Sequence, residues 1–212
     1  MFVLYIRIFA YQIETNMFRK RKLSNFIEFN PSGSLQNGEI AKKIPMEKLM
    51  PYQRKVLGYV ETEYTSGPKF KNGDTLVAKI TPCLENGKTA YVDILDKDEV
   101  AFGSSEFIVL RAKQNQVREE DNTDPEFLYY LSVSPAFRKR AISCMQGTSG
   151  RKRVVEGTLK NHSLPIPNYK EQQHIAAVLS SIDKKIALNN RINHNLPRPD
   201  HSLKEVAVRH AA

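Results

Sequence analysis

Toward the C-terminal end, apolar and amide residues recur at alternating four- and three-residue steps: Ile175, Leu179, Ile182, Ile186, Asn189, Asn193 and Leu196. This heptad stripe predicts one helix over residues 168–196 with a dimer-type seam, longer than a small domain needs to cover its own core. Pro165 and Pro167 keep the approach extended, and Asn168 followed by Glu171 matches a capping box. About 28 helical residues span roughly 42 Å. The seam is aliphatic through Ile186 and polar at Asn189 and Asn193, which suits pairing whose register is set by amides. The competing reading packs the same stripe back onto the helix's own domain.

Upstream, the dominant period is two. Residues 23–29 alternate and predict a strand, broken by Asn30-Pro31-Ser32-Gly33. Residues 41–49 contain Pro45 and predict an edge strand leading into a short turn. Residues 75–81, 88–95, 100–102 and 106–111 are β-rich runs. They predict antiparallel strands joined by short loops, with Asn86-Gly87 a favoured tight-turn pair. Residues 119–124 are acidic and read as solvated. Asp124-Pro125 and Ser134-Pro135 then place a capping side chain before a proline, predicting helices through Leu131 and Met145. The fold class is therefore α+β: a mixed, β-rich domain followed by a long C-terminal helix that pairs as a coiled coil.

With 212 residues, one domain and an appendage is the natural division. The boundaries read as an N-terminal extension over 1–22, a domain over 23–167, the helix over 168–196 and a mobile or foreign tail over 197–212. Residues 2–13 are apolar but interrupted by Arg7, too short for a membrane span and poorly built for a signal peptide. Met17 is the more natural start of the folded part, leaving the first 16 residues as read-through or a packing strand. Cys83 and Cys144 have no ligand-like spacing to each other or to the five scattered histidines, so neither a zinc site nor a disulfide framework is expected. A reducing cytoplasm fits.

Charge changes the picture more than composition does. A net charge of +9 favours a polyanionic partner, nucleic acid before an anionic membrane surface. The basic residues concentrate around a glycine loop, with Arg138, Lys139 and Arg140, then Gln146-Gly147-Thr148-Ser149-Gly150, then Arg151, Lys152 and Arg153. Between residues 138 and 160 the only acid is Glu156. Glycines admit a phosphate close to the backbone, while hydroxyls, amides and arginines supply donors. The alternative is a solvated turn with ordinary surface charge. A second polar loop, residues 79–88, joins two predicted strands. Within it and just before it, Asp74, Glu85 and Lys88 have the residue types of a magnesium-dependent nuclease, although two residues rather than one separate the glutamate from the lysine. No dinucleotide fingerprint, phosphate loop or nucleophile elbow occurs. Asn30-Pro31-Ser32-Gly33 starts like an amino-methyltransferase signature but lacks the aromatic residue that stacks a flipped base. Neither catalysis nor a cofactor is expected.

Several blocks nevertheless resemble one family in the right order. Phe70-Lys-Asn-Gly-Asp-Thr-Leu-Val-Ala-Lys-Ile-Thr-Pro-Cys-Leu-Glu-Asn-Gly-Lys88 resembles the target recognition domain of type I restriction–modification DNA specificity subunits. Phe102-Gly-Ser-Ser-Glu-Phe-Ile-Val-Leu-Arg111 and Gly147-Thr-Ser-Gly-Arg-Lys-Arg-Val154 resemble its later blocks. Leu164-Pro-Ile-Pro, Glu171-Gln172, Ile182-Asp-Lys-Lys-Ile186 and residues 189–196 resemble its exit and spacer helix. The resemblance implies a noncatalytic reader of double-stranded DNA, on whose helices a modification subunit docks to methylate adenine while a restriction subunit translocates and cuts. Such subunits carry two recognition domains; one domain and one helix resemble a half-subunit, pairing with itself or with a second half-subunit, or else a truncated gene. Base readout is expected from Lys79, Thr81, Ser104, Ser105, Thr148, Ser149 and Arg151, and phosphate contact from Arg138, Arg140, Lys152 and Arg153. A standalone magnesium nuclease, or a protein-interaction module with an incidental basic surface, are the alternatives.

Overall fold

The computed structural model describes residues 18–114, 118, 121–148 and 150–195. By contact the chain divides into Met1–Val178 and Leu179–Ala212. In the first unit the basic run forms a strand, β1 (Phe18–Lys22), paired antiparallel with β12 (Ser163–Pro167). Leu164 and Ile166 of β12 are buried. Pro165 and Pro167 stand two residues apart, so their missing N–H groups fall on one edge of the strand.

The strand expected over 23–29 is split. Residues Leu23–Phe26 form one helical turn, α1, and only Ile27–Phe29 is extended, as β2. Leu23 and Phe26 are both fully buried. An odd spacing of three puts two side chains on opposite faces of a strand but on one face of a helix, and burial selects the helix.

The remaining strands are β3 (Ile40–Ile44), β4 (Val60–Glu63), β5 (Lys69–Phe70), β6 (Thr75–Ala78), β7 (Thr89–Tyr91), β8 (Ala101–Gly103) and β9 (Phe107–Ala112). They build two four-stranded sheets, in orders β2-β9-β6-β7 and β4-β3-β8-β5. Three of the four predicted runs, β6, β7 and β9, pair antiparallel as expected. β8 leaves them for the second sheet and runs parallel to β3. Nor is β3 an edge strand, since it lies between β4 and β8. Pro45 follows its last residue, so no ladder donor is lost. Ile44, Phe70 and Ala101 of one sheet and Leu76, Ala90, Phe107 and Val109 of the other share one apolar core. Every residue of β6 is buried, because α2 (Pro125–Val133) packs on β6, β7 and β9.

Both predicted helix starts are present. Asp124 accepts a hydrogen bond from the Phe127 N–H (2.8 Å), and Ser134 one from the Phe137 N–H (3.3 Å) at the head of α3 (Pro135–Ser143). The hairpin β10 (Met145–Gln146) and β11 (Arg153–Val154) follows, then α4 (Glu156–Asn161) and the long helix α5 (Tyr169–Asn195). Asn168 caps α5, accepting from the Glu171 N–H at 3.0 Å. Gln172, fully buried, accepts from the Asp124 N–H and donates to the Pro167 carbonyl, both at 3.0 Å. One amide thus ties the root of the long helix to the head of α2 and to the end of β12.

Of the predicted seam, Ile175 in the first unit is buried. In the second unit Leu179 is buried, Ile182 and Ile186 are half-buried, and Asn189 and Asn193 are exposed. Leu188 and Ile192 are 54% and 48% exposed. Leu196, like residues 1–17, 197–212 and Ser149, lies outside the described residues. No described helix is long and apolar enough to cross a membrane.

Candidate nucleic-acid interface

Residues 79–88 do not form the tight hairpin that Asn86-Gly87 suggests. They make a longer, turn-rich connection from β6 to β7. Gly87 sits in it at φ +73°, where a Cβ would come within 2.6 Å of the Tyr52 ring. The Cys83 carbonyl accepts from the Lys88 N–H (3.0 Å) and the Pro82 carbonyl from the Asn86 N–H (2.9 Å), so the loop is internally braced.

The basic hairpin is knitted to this connection through the backbone. The Thr81 N–H donates to the Lys152 carbonyl (3.0 Å), and the Val154 N–H donates to the Lys79 carbonyl (2.9 Å). Ile80 and Arg153 form a β-bridge between them. Gly147 turns the hairpin at φ +126°, where an added Cβ would lie 3.1 Å from the Arg151 carbonyl. Arg138, from α3, donates to the Glu85 carbonyl at 2.8 Å and lies 5.1 Å from the Tyr52 ring centroid. The Ser104–Ser105 turn joins the same surface, because the Glu106 carbonyl accepts from the Lys79 N–H at 2.8 Å. Two loops that lie far apart in sequence are therefore one continuous surface.

Individual side chains differ in what they offer. Arg151, Lys152, Ser105 and Thr148 are exposed. Lys79 faces Glu156 at 3.6 Å, and Glu156 also accepts from the Asn30 side-chain amide at 2.7 Å. The Thr81 hydroxyl is buried and has no hydrogen-bond partner among the described residues. Arg140 donates to the Ala136 carbonyl of its own helix (2.9 Å). Ser104 accepts through its hydroxyl from the Glu106 N–H (3.2 Å). Arg153 grips Glu106 in a two-pronged ion pair, Nε to Oε2 at 2.9 Å and Nη2 to Oε1 at 2.7 Å. These bonds hold the Glu106 carboxyl below its usual range and raise the Arg153 guanidinium further. The partners of Glu106, Glu156 and Tyr52 at this surface were not legible in the sequence, since a lone acid or tyrosine beside a loop carries no spacing signal.

The nuclease constellation does not assemble. Asp74 is buried and accepts from Arg111 Nε (2.8 Å), Arg111 Nη2 (2.7 Å) and the Lys71 N–H (2.9 Å). Glu85 is exposed on the braced loop, and Lys88 Nζ donates to the Met46 carbonyl at 3.2 Å. Among the described residues no group of three or more His, Cys, Asp or Glu is placed to hold a metal. Cys83 and Cys144 are both free thiols, and burial pushes the Cys144 thiol up, away from nucleophilic use.

Comparison with known proteins is consistent with this geometry. The family described as the type I restriction modification DNA specificity domain matches residues 19–198. The EcoAI specificity subunit of Escherichia coli is 36% identical over 106 residues, covering 50% of this chain and 17% of that protein. The HindI specificity subunit of Haemophilus influenzae is 32% identical over 127 residues, covering 59% of this chain and 26% of that protein. The chain thus spans about a quarter or less of these relatives' length. The HsdS subunit of Thermoanaerobacter tengcongensis shares the fold at a TM-score of 0.64 and 20% identity, over 84% of this chain and 45% of that one. A chain from a structural study of type I system assembly and conformational transition aligns at 0.65 with the same coverage and identity. A match over residues 19–198, most of the chain, places this chain in the type I restriction–modification DNA specificity family.

Proposed function

We propose that the chain supplies one target recognition domain and one spacer helix of a specificity subunit that binds duplex DNA sequence-specifically and directs adenine methylation and restriction by partner subunits. The observation that carries this is the joining of the glycine hairpin to the 79–88 connection by backbone hydrogen bonds. It gathers Arg138, Arg151 and Lys152 on one surface of a chain with net charge +9. Glycine turns give close backbone approach, exposed cations contact phosphates, and hydroxyls offer groove contacts. Ser105, Thr148, Ser149 and Arg151 are the base readers in this reading; Lys152, Arg138 and Arg140 hold phosphates. Ser104, Lys79 and Thr81, engaged or buried as described, shape the loops behind them.

The long helix supplies the second half of the function. Its exposed Leu188 and Ile192, with the half-buried Ile182 and Ile186, suit pairing with a second copy or a second half-subunit and docking of a modification subunit. Selection from a pool of duplexes with a randomised centre tests the reading, using the full chain alone and with a type I methyltransferase subunit added. Enrichment of one motif is expected. Equal retention of all sequences would leave only a basic surface.

A further inference from the structure

We infer that Arg153 is a base reader rather than a phosphate clamp, and that Glu106 is the residue that positions it. This rests on the DNA-reading function proposed above. Arg153 is fixed at both ends. Its backbone bridges Ile80, and its Nε and Nη2 donate to the Glu106 carboxylate at 2.7–3.0 Å. Glu106 is itself rooted in the adjoining turn, donating its N–H to Ser104 Oγ (3.2 Å) and accepting from the Lys79 N–H through its carbonyl (2.8 Å).

Charge decides between the two roles. A phosphate contact draws its strength from net positive charge and the counterions it releases. The Glu106 carboxylate cancels the charge of Arg153 at contact distance, and Glu156 stands 3.6 Å from the neighbouring Lys79. Lys152, exposed and without a carboxylate partner among the described residues, is the stronger phosphate ligand. Base readout depends instead on donor geometry. Glu106 occupies the Nε/Nη2 edge of the guanidinium, while the Nη1/Nη2 edge has no hydrogen bond among the described residues and the side chain is 50% exposed. That edge presents two parallel donors spaced for O6 and N7 of a guanine. Holding the fork in advance lowers the rotamer entropy lost on binding.

The test is selection from the randomised duplex pool, followed by competition among single-base variants of the enriched motif at two salt concentrations. The protein is the full chain, alone and with a type I methyltransferase subunit added. R153K is expected to reduce discrimination at a single G·C pair by about 5- to 150-fold while leaving the rest of the motif and the salt slope unchanged. E106Q is expected to weaken the same discrimination and to steepen the salt slope by up to about one, because it frees a positive charge. Thermal melting of both variants monitors folding, and E106Q keeps the shape of the side chain it replaces. An R153K protein that loses all sequences equally, with a flatter salt slope, makes Arg153 a phosphate contact and overturns the assignment. Undiminished discrimination in folded E106Q overturns the positioning role. If wild-type protein enriches no motif at all, DNA reading fails and this inference falls with it.

Discussion

Asp74 is 1% exposed, yet it carries a charge that Arg111 meets with two hydrogen bonds of 2.7 and 2.8 Å. In sequence it stood beside Glu85 and Lys88 as a metal-binding candidate; in space it is a structural counterion. Asp74→Asn is expected to cost about 3 kcal/mol in urea unfolding, because Arg111 is left half-buried without its anion. Tyr91 makes a second prediction. Burial is the largest cause pushing its phenol up to about 12 from an ordinary 10.0, with Arg54 opposing it from 4.5 Å above the ring. The folded state therefore favours the neutral phenol. Stability from this group is complete below pH 10 and is lost as pH rises through about 12. A Tyr91→Phe protein should show a shallower alkaline loss of stability, read by urea midpoints from pH 9 upward; an identical loss would rule out the role. The identities of these residues were plain in the sequence, but their partners were not. Asp74 and Arg111, or Arg153 and Glu106, meet only because distant strands pair.

Local punctuation predicted helices better than strands. Asp124-Pro125, Ser134-Pro135 and Asn168 each mark a helix start that the structure contains, because capping is settled within four residues of chain. Ser134→Ala should cost about 1 kcal/mol, measured by thermal unfolding, since it strips the Phe137 N–H of its acceptor. Strand partners need information from elsewhere in the chain. The alternation over 23–29 was satisfied by a helical turn and a short strand, and β8 joined the second sheet although its sequence neighbours β7 and β9 both flank β6 in the first. The chain from residue 60 to 70 carries two further strands, β4 and β5, too short and too polar to signal themselves.

The net charge of +9 belongs to the chain taken together, as does the long helix, which carries exposed apolar residues toward its C-terminal end. Leu188 and Ile192 lie four residues apart on one helical face. Charged replacements there, Leu188→Glu with Ile192→Glu, are expected to shift the chain from dimer to monomer in sedimentation velocity without changing the melting of the recognition domain. A monomeric wild-type chain at micromolar concentration would instead assign those residues to another partner.

Periodicity and capping are short-range, so the existence of the long helix, its starting residue and the α+β class could be read directly from the order of amino acids. So could the two basic or polar loops, because glycine, proline and charge announce themselves locally. Which loop lies against which, which arginines are matched by a carboxylate, and which strand sits at an edge are long-range properties. They follow from backbone hydrogen bonds such as Thr81 to Lys152 and from burial of one shared core between two sheets, neither of which leaves a trace in local spacing.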